Sequence, residues 1–262
     1  MGGDTTTNPC DEAALVWTSA IIALNKAYKA LIDADASGNA DSIETASNDV
    51  KEKHDAFNKA RKAVKTLCDG PRTHRWPFGN GIEIQIDPDD DFTISQYRAL
   101  AILLKLGRKA TGGTLIVLDP KEPPRPPTYE PNKKLGGTYV YEGDGDDKQD
   151  VITIYDWNNK QDMMSVPELM LLLKHEMGHR VMRLLGDPAK TNADGKTGRA
   201  LWDAFWNDGT NSKPAAKGGK MPNDYAGHTA GEGFAVCFEL YYDDKPLDAA
   251  VKAKLEEIIK LL

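Results

Sequence analysis

Five consecutive residues, His175-Glu176-Met177-Gly178-His179, carry the strongest chemical signal in the 262-residue chain. On an α-helix, residues four apart share a face with their Cβ atoms about 6 Å apart. Imidazoles at 175 and 179 can therefore converge on one tetrahedral Zn²⁺ at about 2.1 Å each. Glu176 lies about 100° round the helix from His175, within reach of a zinc-held water without being a ligand itself. Zinc lowers the pKa of such a water to around 7, so the carboxylate can accept its proton and later return it to a leaving amine. The chain has only five histidines, which makes a chance match of this spacing improbable. Two histidines and a glutamate in so apolar a helix would also be costly to bury without a partner such as a metal.

A catalytic zinc usually keeps three protein ligands and one open position. No Gly-x-x-His follows His179, so the third ligand must come from further along. The segment Tyr225 to Glu239 offers His228, Glu232 and Glu239. Glu232 also has a purely structural reading, because Thr229-x-x-Glu232 is a capping box that would close a helix start. Cys237 reads as core.

The two segments together resemble the gluzincin metalloproteases of the anthrax lethal factor type. In that group HExxH is followed downstream by a Tyr, and seven residues later by a Glu that opens a Glu-x-Phe-Ala-Glu helix. Here Tyr225 stands seven residues before Glu232-Gly-Phe-Ala235. The resemblance implies that His175, His179 and Glu232 bind zinc and that Glu176 is the general base. It further implies that Tyr225 donates a hydrogen bond to the developing oxyanion. It covers about 40 residues, and Val236 replaces the second Glu of the family motif. The upstream layout is also similar to small bacterial effector metalloproteases, which implies a secreted toxin or effector that cleaves a protein or peptide substrate.

The elements that must position these residues are legible around them. Ser165-Val-Pro-Glu168 is a helix start, and Gly186 with Pro188 ends that helix. Upstream, 8–69 reads as an antiparallel helical hairpin. Asn8-Pro9 opens the first helix, and Val16, Ala20, Ala23, Ala27 and Leu31 form a stripe backed by Trp17, Ile21, Leu24 and Tyr28. Gly38 turns the chain, and Asp41 with Glu44 opens a second helix. Its seam is Ile43, Ala46, Val50, Phe57, Ala60, Val64 and Leu67, interrupted by Lys53. Folding at Gly38 brings Cys10 opposite Cys68, and a disulfide there would favour an oxidising compartment.

From Trp76 onward the pattern is mixed. Ile82 to Ile86 alternates like a strand, Thr93-x-x-Gln96 caps a helix through about Lys109, and Gly112-Gly113 turns into a strand over 114–118. Residues 119–136 form a Pro-rich loop suited to polyproline II. Thr138 to Tyr141 and Val151 to Tyr155 read as a hairpin around an acidic loop, with Val151 to Tyr155 as the edge strand that lines the cleft. Helices at 199–206 and 247–262 complete the core, and His54 and His74 face solvent. The expected fold class is α+β: a zincin-like catalytic domain over 76–262 behind the hairpin.

Composition narrows the function classes. A formal charge of −7, with 28% charged and 40% hydrophobic residues, describes a globular protein with no broad basic face for nucleic acid. No apolar run approaches a membrane span of roughly 18 residues. The polar start Met1 to Cys10 carries no signal peptide, which leaves export by a dedicated secretion machine open. Two rivals to an endopeptidase come from other classes: a zinc amidase on a non-peptide or cell-wall substrate, and an interaction module with a vestigial zinc site. Four protein ligands and no cleft would favour the latter.

Overall fold

The computed structural model describes residues 8–68, 75–86, 92–119, 136–142, 148–155 and 165–262. The prolines at 123–127, the acidic segment 143–147 and His74 lie outside the described residues.

The hairpin forms as its sequence requires. Asn8 caps α1 (Pro9–Ser37) by accepting from the Cys10 N–H, with Pro9 in the first turn. The second helix, α2 (Ala40–Leu67), opens on Asn39 rather than Asp41: the Asn39 side chain accepts from the Ser42 N–H. The buried stripe of α1 runs Ala13, Trp17, Ile21, Leu24, Ala27, Tyr28 and Leu31, while Val16 is 59% exposed. The bulkiest side chains decide the rotation of the helix, since they have the most apolar surface to remove from water. On α2 the seam passes through Val50, His54, Phe57, Arg61 and Val64. His54 is therefore buried, not solvent-facing, with its ring beside Phe92. Cys10 and Cys68 are bonded across the open end of the hairpin, their Cα atoms 5.0 Å apart.

Five strands form one sheet in the order β1-β2-β3-β5-β4. These are β1 (Arg75–Gly79), β2 (Ile82–Ile86), β3 (Thr114–Asp119), β4 (Gly137–Glu142) and β5 (Gln149–Tyr155). The outer pairs β1/β2 and β4/β5 are antiparallel, and the inner pairs are parallel. Ile84, Ile116 and Ile152 stand side by side across the three central strands and are fully buried. The expected β4/β5 hairpin is present, but its edge is the other strand. β5 is bonded on both sides, to β3 and to β4, so β4 is the edge among the described residues. The helix expected to reach Lys109 is divided. α3 (Ile94–Ala101) tightens to a 3₁₀ turn over Ile102–Leu106, and Gly107 then takes a φ of 77° before the short α4 (Arg108–Thr111). Only glycine adopts that conformation readily.

α5 (Val166–Leu184) carries the His-Glu-Met-Gly-His run and is closed at its start by the reciprocal Ser165–Glu168 capping box. Leu169, Leu173, Met177 and Val181 recur every four residues and are buried; each contributes roughly 1.5–3 kcal/mol. That row anchors α5, and at two residues' offset it leaves 175 and 179 on the opposite side of the helix. α6 (Gly198–Trp206), α7 (Ala230–Tyr242) and α8 (Ala249–Ile259) complete the fold. One hydrophobic cluster runs from the hairpin through the sheet to α8. Its aromatic bridge links Phe57 to Trp76 at 5.3 Å, Trp76 to Phe92 at 5.2 Å and Phe78 to Tyr97 at 4.8 Å between ring centroids. The chain is thus mixed α+β with an N-terminal helical hairpin, and none of its described helices is long and apolar enough to cross a membrane.

Candidate metal centre

α5 and α7 lie antiparallel, and their contacts keep one register. Lys174 meets Asp243, His175 meets Glu239, Gly178 meets Ala235 and His179 meets Glu232. At Gly178 the helices approach so closely that a Cβ would stand 2.8 Å from Ala235 Cα. Lys174 is almost wholly buried, and its ammonium donates to Asp243 at 2.5 Å. That hydrogen bond holds the Asp243 carboxyl below its ordinary range.

On the sheet side Arg180, also buried, donates to the carbonyls of Ala110 and Gly112 and pairs with Asp150 of β5 at 3.0 Å. Arg183 reaches both carboxylate oxygens of Asp150 at 2.7 Å, and the Tyr139 hydroxyl donates to the same group at 2.6 Å. These bonds fix α5 against β4, β5 and α7.

Within that frame three side chains converge. His175 Nε2 lies 3.2 Å from His179 Nε2 and 3.2 Å from Glu232 Oε2, and the His179–Glu232 separation is 3.5 Å. Ligand atoms about 2.1 Å from a tetrahedral ion must stand roughly 3.4 Å from one another, so the three separations, 3.2, 3.2 and 3.5 Å, fit a single small cation. The donor set also fits: two imidazoles and one carboxylate form a set typical of catalytic zinc. Glu232 Oε2 is enclosed with no well-directed hydrogen bond, although both nitrogens are near it. A buried polar atom in that state needs a partner.

The electrostatics match. Burial alone would raise the Glu232 carboxyl, but His175, His179 and the Tyr225 hydroxyl outweigh it and hold the group well below the usual carboxylate range. Burial works against charge on His175, yet Glu232, Glu239 and Glu176 lift its pKa to about 9. Glu176 is buried beside the triad; desolvation raises its carboxyl, and His175 and His179 oppose the rise.

The structure separates the three candidates for the third position. Glu232 belongs to the cluster that could hold a metal. Thr229 caps α7 by accepting from the Glu232 N–H, as its half of the capping box requires. The Glu232 carboxylate, however, is directed to the histidines. His228 is exposed, beside the Tyr225 ring and outside the triad. Glu239 approaches His175 on the other ring nitrogen, Nδ1, at 3.5 Å. Tyr225 begins a 3₁₀ turn ahead of α7, is 45% exposed, and sits with its ring centroid 5.8 Å from that of His175. Cys237 is buried, as a core residue would be.

The triad lines an open cleft of about 510 Å³. Its walls include Thr138 and Tyr139 of edge strand β4, Arg183 and Arg199. Arg183, Tyr139 and Asp150 were not singled out from the sequence. Arg183 stands four residues after His179, and that spacing was the available signal. Comparison of the chain with protein-family models, curated proteins and solved structures finds no match to any of them.

Proposed function

We propose that the chain is a zinc-dependent endopeptidase of the zincin type, with His175, His179 and Glu232 as ligands, Glu176 as general base and Tyr225 as oxyanion donor. The observation that carries this reading is the convergence of two imidazoles and a carboxylate in the lining of a cleft, with a buried glutamate beside them. Zinc, when bound there, supplies Lewis acidity and makes a water acidic enough to ionise near neutral pH. Glu176 accepts the proton of the attacking water on its carboxylate and delivers it to the leaving amine nitrogen. Its burial keeps that proton from bulk solvent. The Tyr225 hydroxyl, which lies near the Glu232 carboxylate, would donate to the oxygen of the attacked carbonyl, a contribution of about 3 kcal/mol in comparable sites.

β4 gives the reason to prefer a peptide. Its outer edge is unpaired among the described residues, and Gly137, Thr138 and Tyr139 line the cleft. An extended peptide can add there as a further strand. Nothing comparable favours a non-peptide amide. A vestigial structural zinc is disfavoured by the cleft and by a donor cluster of only three among the described residues.

The test is Glu176→Gln with zinc content and peptide cleavage measured together. The variant should retain zinc and lose turnover by at least about a thousandfold. Normal cleavage by this variant would sink the mechanism, and cleavage of peptidoglycan but no peptide would replace the endopeptidase with the amidase.

A further inference from the structure

Glu239 lies two turns beyond Glu232 on the same face of α7, and both glutamates approach one imidazole. Glu232 Oε2 stands 3.2 Å from Nε2 of His175, and Glu239 Oε2 stands 3.5 Å from Nδ1. A neutral imidazole carries one N–H and one lone pair, so the two nitrogens must take different roles. The nitrogen facing the triad needs its lone pair for a cation. The other then carries the proton and, in so buried a position, needs an acceptor.

We propose that Glu239 is the positioning residue for His175: its carboxylate accepts the Nδ1–H, fixes the tautomer and ring rotation, and leaves Nε2 as the ligand atom. This rests on the metal reading of the triad given above. The side chain of Glu239 is only 19% exposed, and among the described residues His175 is its sole ion-pairing partner. The Lys174–Asp243 pair one turn further along locks α7 against α5 just where Glu239 must reach. Val236, one turn before Glu239, cannot accept a hydrogen bond. Glu239 supplies the acceptor instead. His179 has no comparable carboxylate on its second nitrogen among the described residues, and it is the more exposed of the two histidines. The support is asymmetric.

The experiment measures zinc affinity of the full chain by competition with a chromophoric chelator, for wild type, Glu239→Leu and Glu239→Gln. Loss of a carboxylate behind a ligating histidine typically costs about 10- to 100-fold in metal affinity, and that loss is expected for E239L. E239Q, whose amide oxygen still accepts the Nδ1–H, should recover most of it. After chelation and above about pH 9, where the His175 imidazolium and its contacts with the glutamates are lost, both variants should melt close to wild type, because a merely structural role would lower stability without this ranking. Imidazole ¹⁵N spectra of the zinc-loaded wild type should show His175 protonated on Nδ1 and bound through Nε2. Wild-type affinity in E239L, equal loss in both variants, or a His175 proton on Nε2 would overturn the proposal. If E239L does not fold, E239Q and the wild-type spectrum still decide it. A wild type that takes up no zinc would instead overturn the metal reading itself.

Discussion

His175 brings two opposing pH effects into one side chain. Its pKa is lifted to about 9 by the surrounding glutamates, against an ordinary value near 6.5. Without metal, the imidazolium–glutamate contacts contribute stability that is fully present below about pH 6.5 and is lost as pH rises through about 9. Zinc binding needs the lone pair that this proton occupies, so it must release a proton throughout that window. Apparent zinc affinity should therefore rise by up to about tenfold per pH unit from pH 6.5 and flatten above pH 9. Over the same interval the melting temperature of chelated protein should fall. Chelator competition and thermal melts at matched ionic strength check both slopes. A zinc affinity that stays constant between pH 6.5 and 9 would show that His175 does not exchange a proton for the metal.

At the scale of elements, the centre is made by the distance between α5 and α7, and Gly178 sets that distance. A glycine in mid-helix costs about 1 kcal/mol relative to alanine, so propensity alone favours Gly178→Ala. Against it stands a contact of 2.8 Å between the new Cβ and Ala235 Cα, with the Ala235 carbonyl oxygen at 3.2 Å. Backbone must move to relieve it, at about 1–3 kcal/mol for an overpacked core. Packing should win: G178A is expected to lower thermal stability after chelation and to weaken zinc by more than tenfold, because α7 carries Glu232 away from the histidines. Full zinc affinity in G178A would mean that the helix spacing has slack. The same pair of helices shows what the sequence could and could not reveal. The α5 capping box and the His175/His179 spacing are local, and both were legible. The choice among His228, Glu232 and Glu239 depends on the register of two helices distant in sequence. That register is written in Lys174–Asp243 and Gly178–Ala235, pairs with no local signature. His54 was legible and missed: Val50, His54, Phe57, Arg61 and Val64 alternate steps of four and three, as a buried seam should. The edge position of β4 was not legible, because nothing within a hairpin says on which side a third strand will dock.

At the scale of the whole molecule, aromatic packing joins the hairpin to the remainder while a disulfide closes the hairpin on itself, and the two respond to different treatments. One is the aromatic bridge through Phe57, Trp76 and Phe92, which is insensitive to redox state. The other is Cys10–Cys68, which closes a span of 58 residues at the end of α2, just ahead of the segment leading to β1. A loop of that length removes unfolded-chain entropy worth about 4 kcal/mol in the chain-entropy model. The gain is smaller if α1 and α2 already associate in the unfolded chain. Reduction should lower the melting temperature markedly, yet leave zinc affinity of the folded protein within a factor of two or three, because no residue of the hairpin lies in the metal cluster. The paired variant Cys10→Ser/Cys68→Ser should reproduce the effect of reductant. Cys237 does not confuse the experiment: it is buried and its thiol is pushed up to about 12, so native protein should resist alkylation there. If reduction abolished zinc binding at temperatures where the chain remains folded, the hairpin would have to support the metal centre directly. Thermal melts and chelator competition, each with and without reductant, separate the two. Since such a bond persists in oxidising surroundings and is reduced in most cytosols, a large thermal cost would also indicate that the protein works outside a reducing compartment.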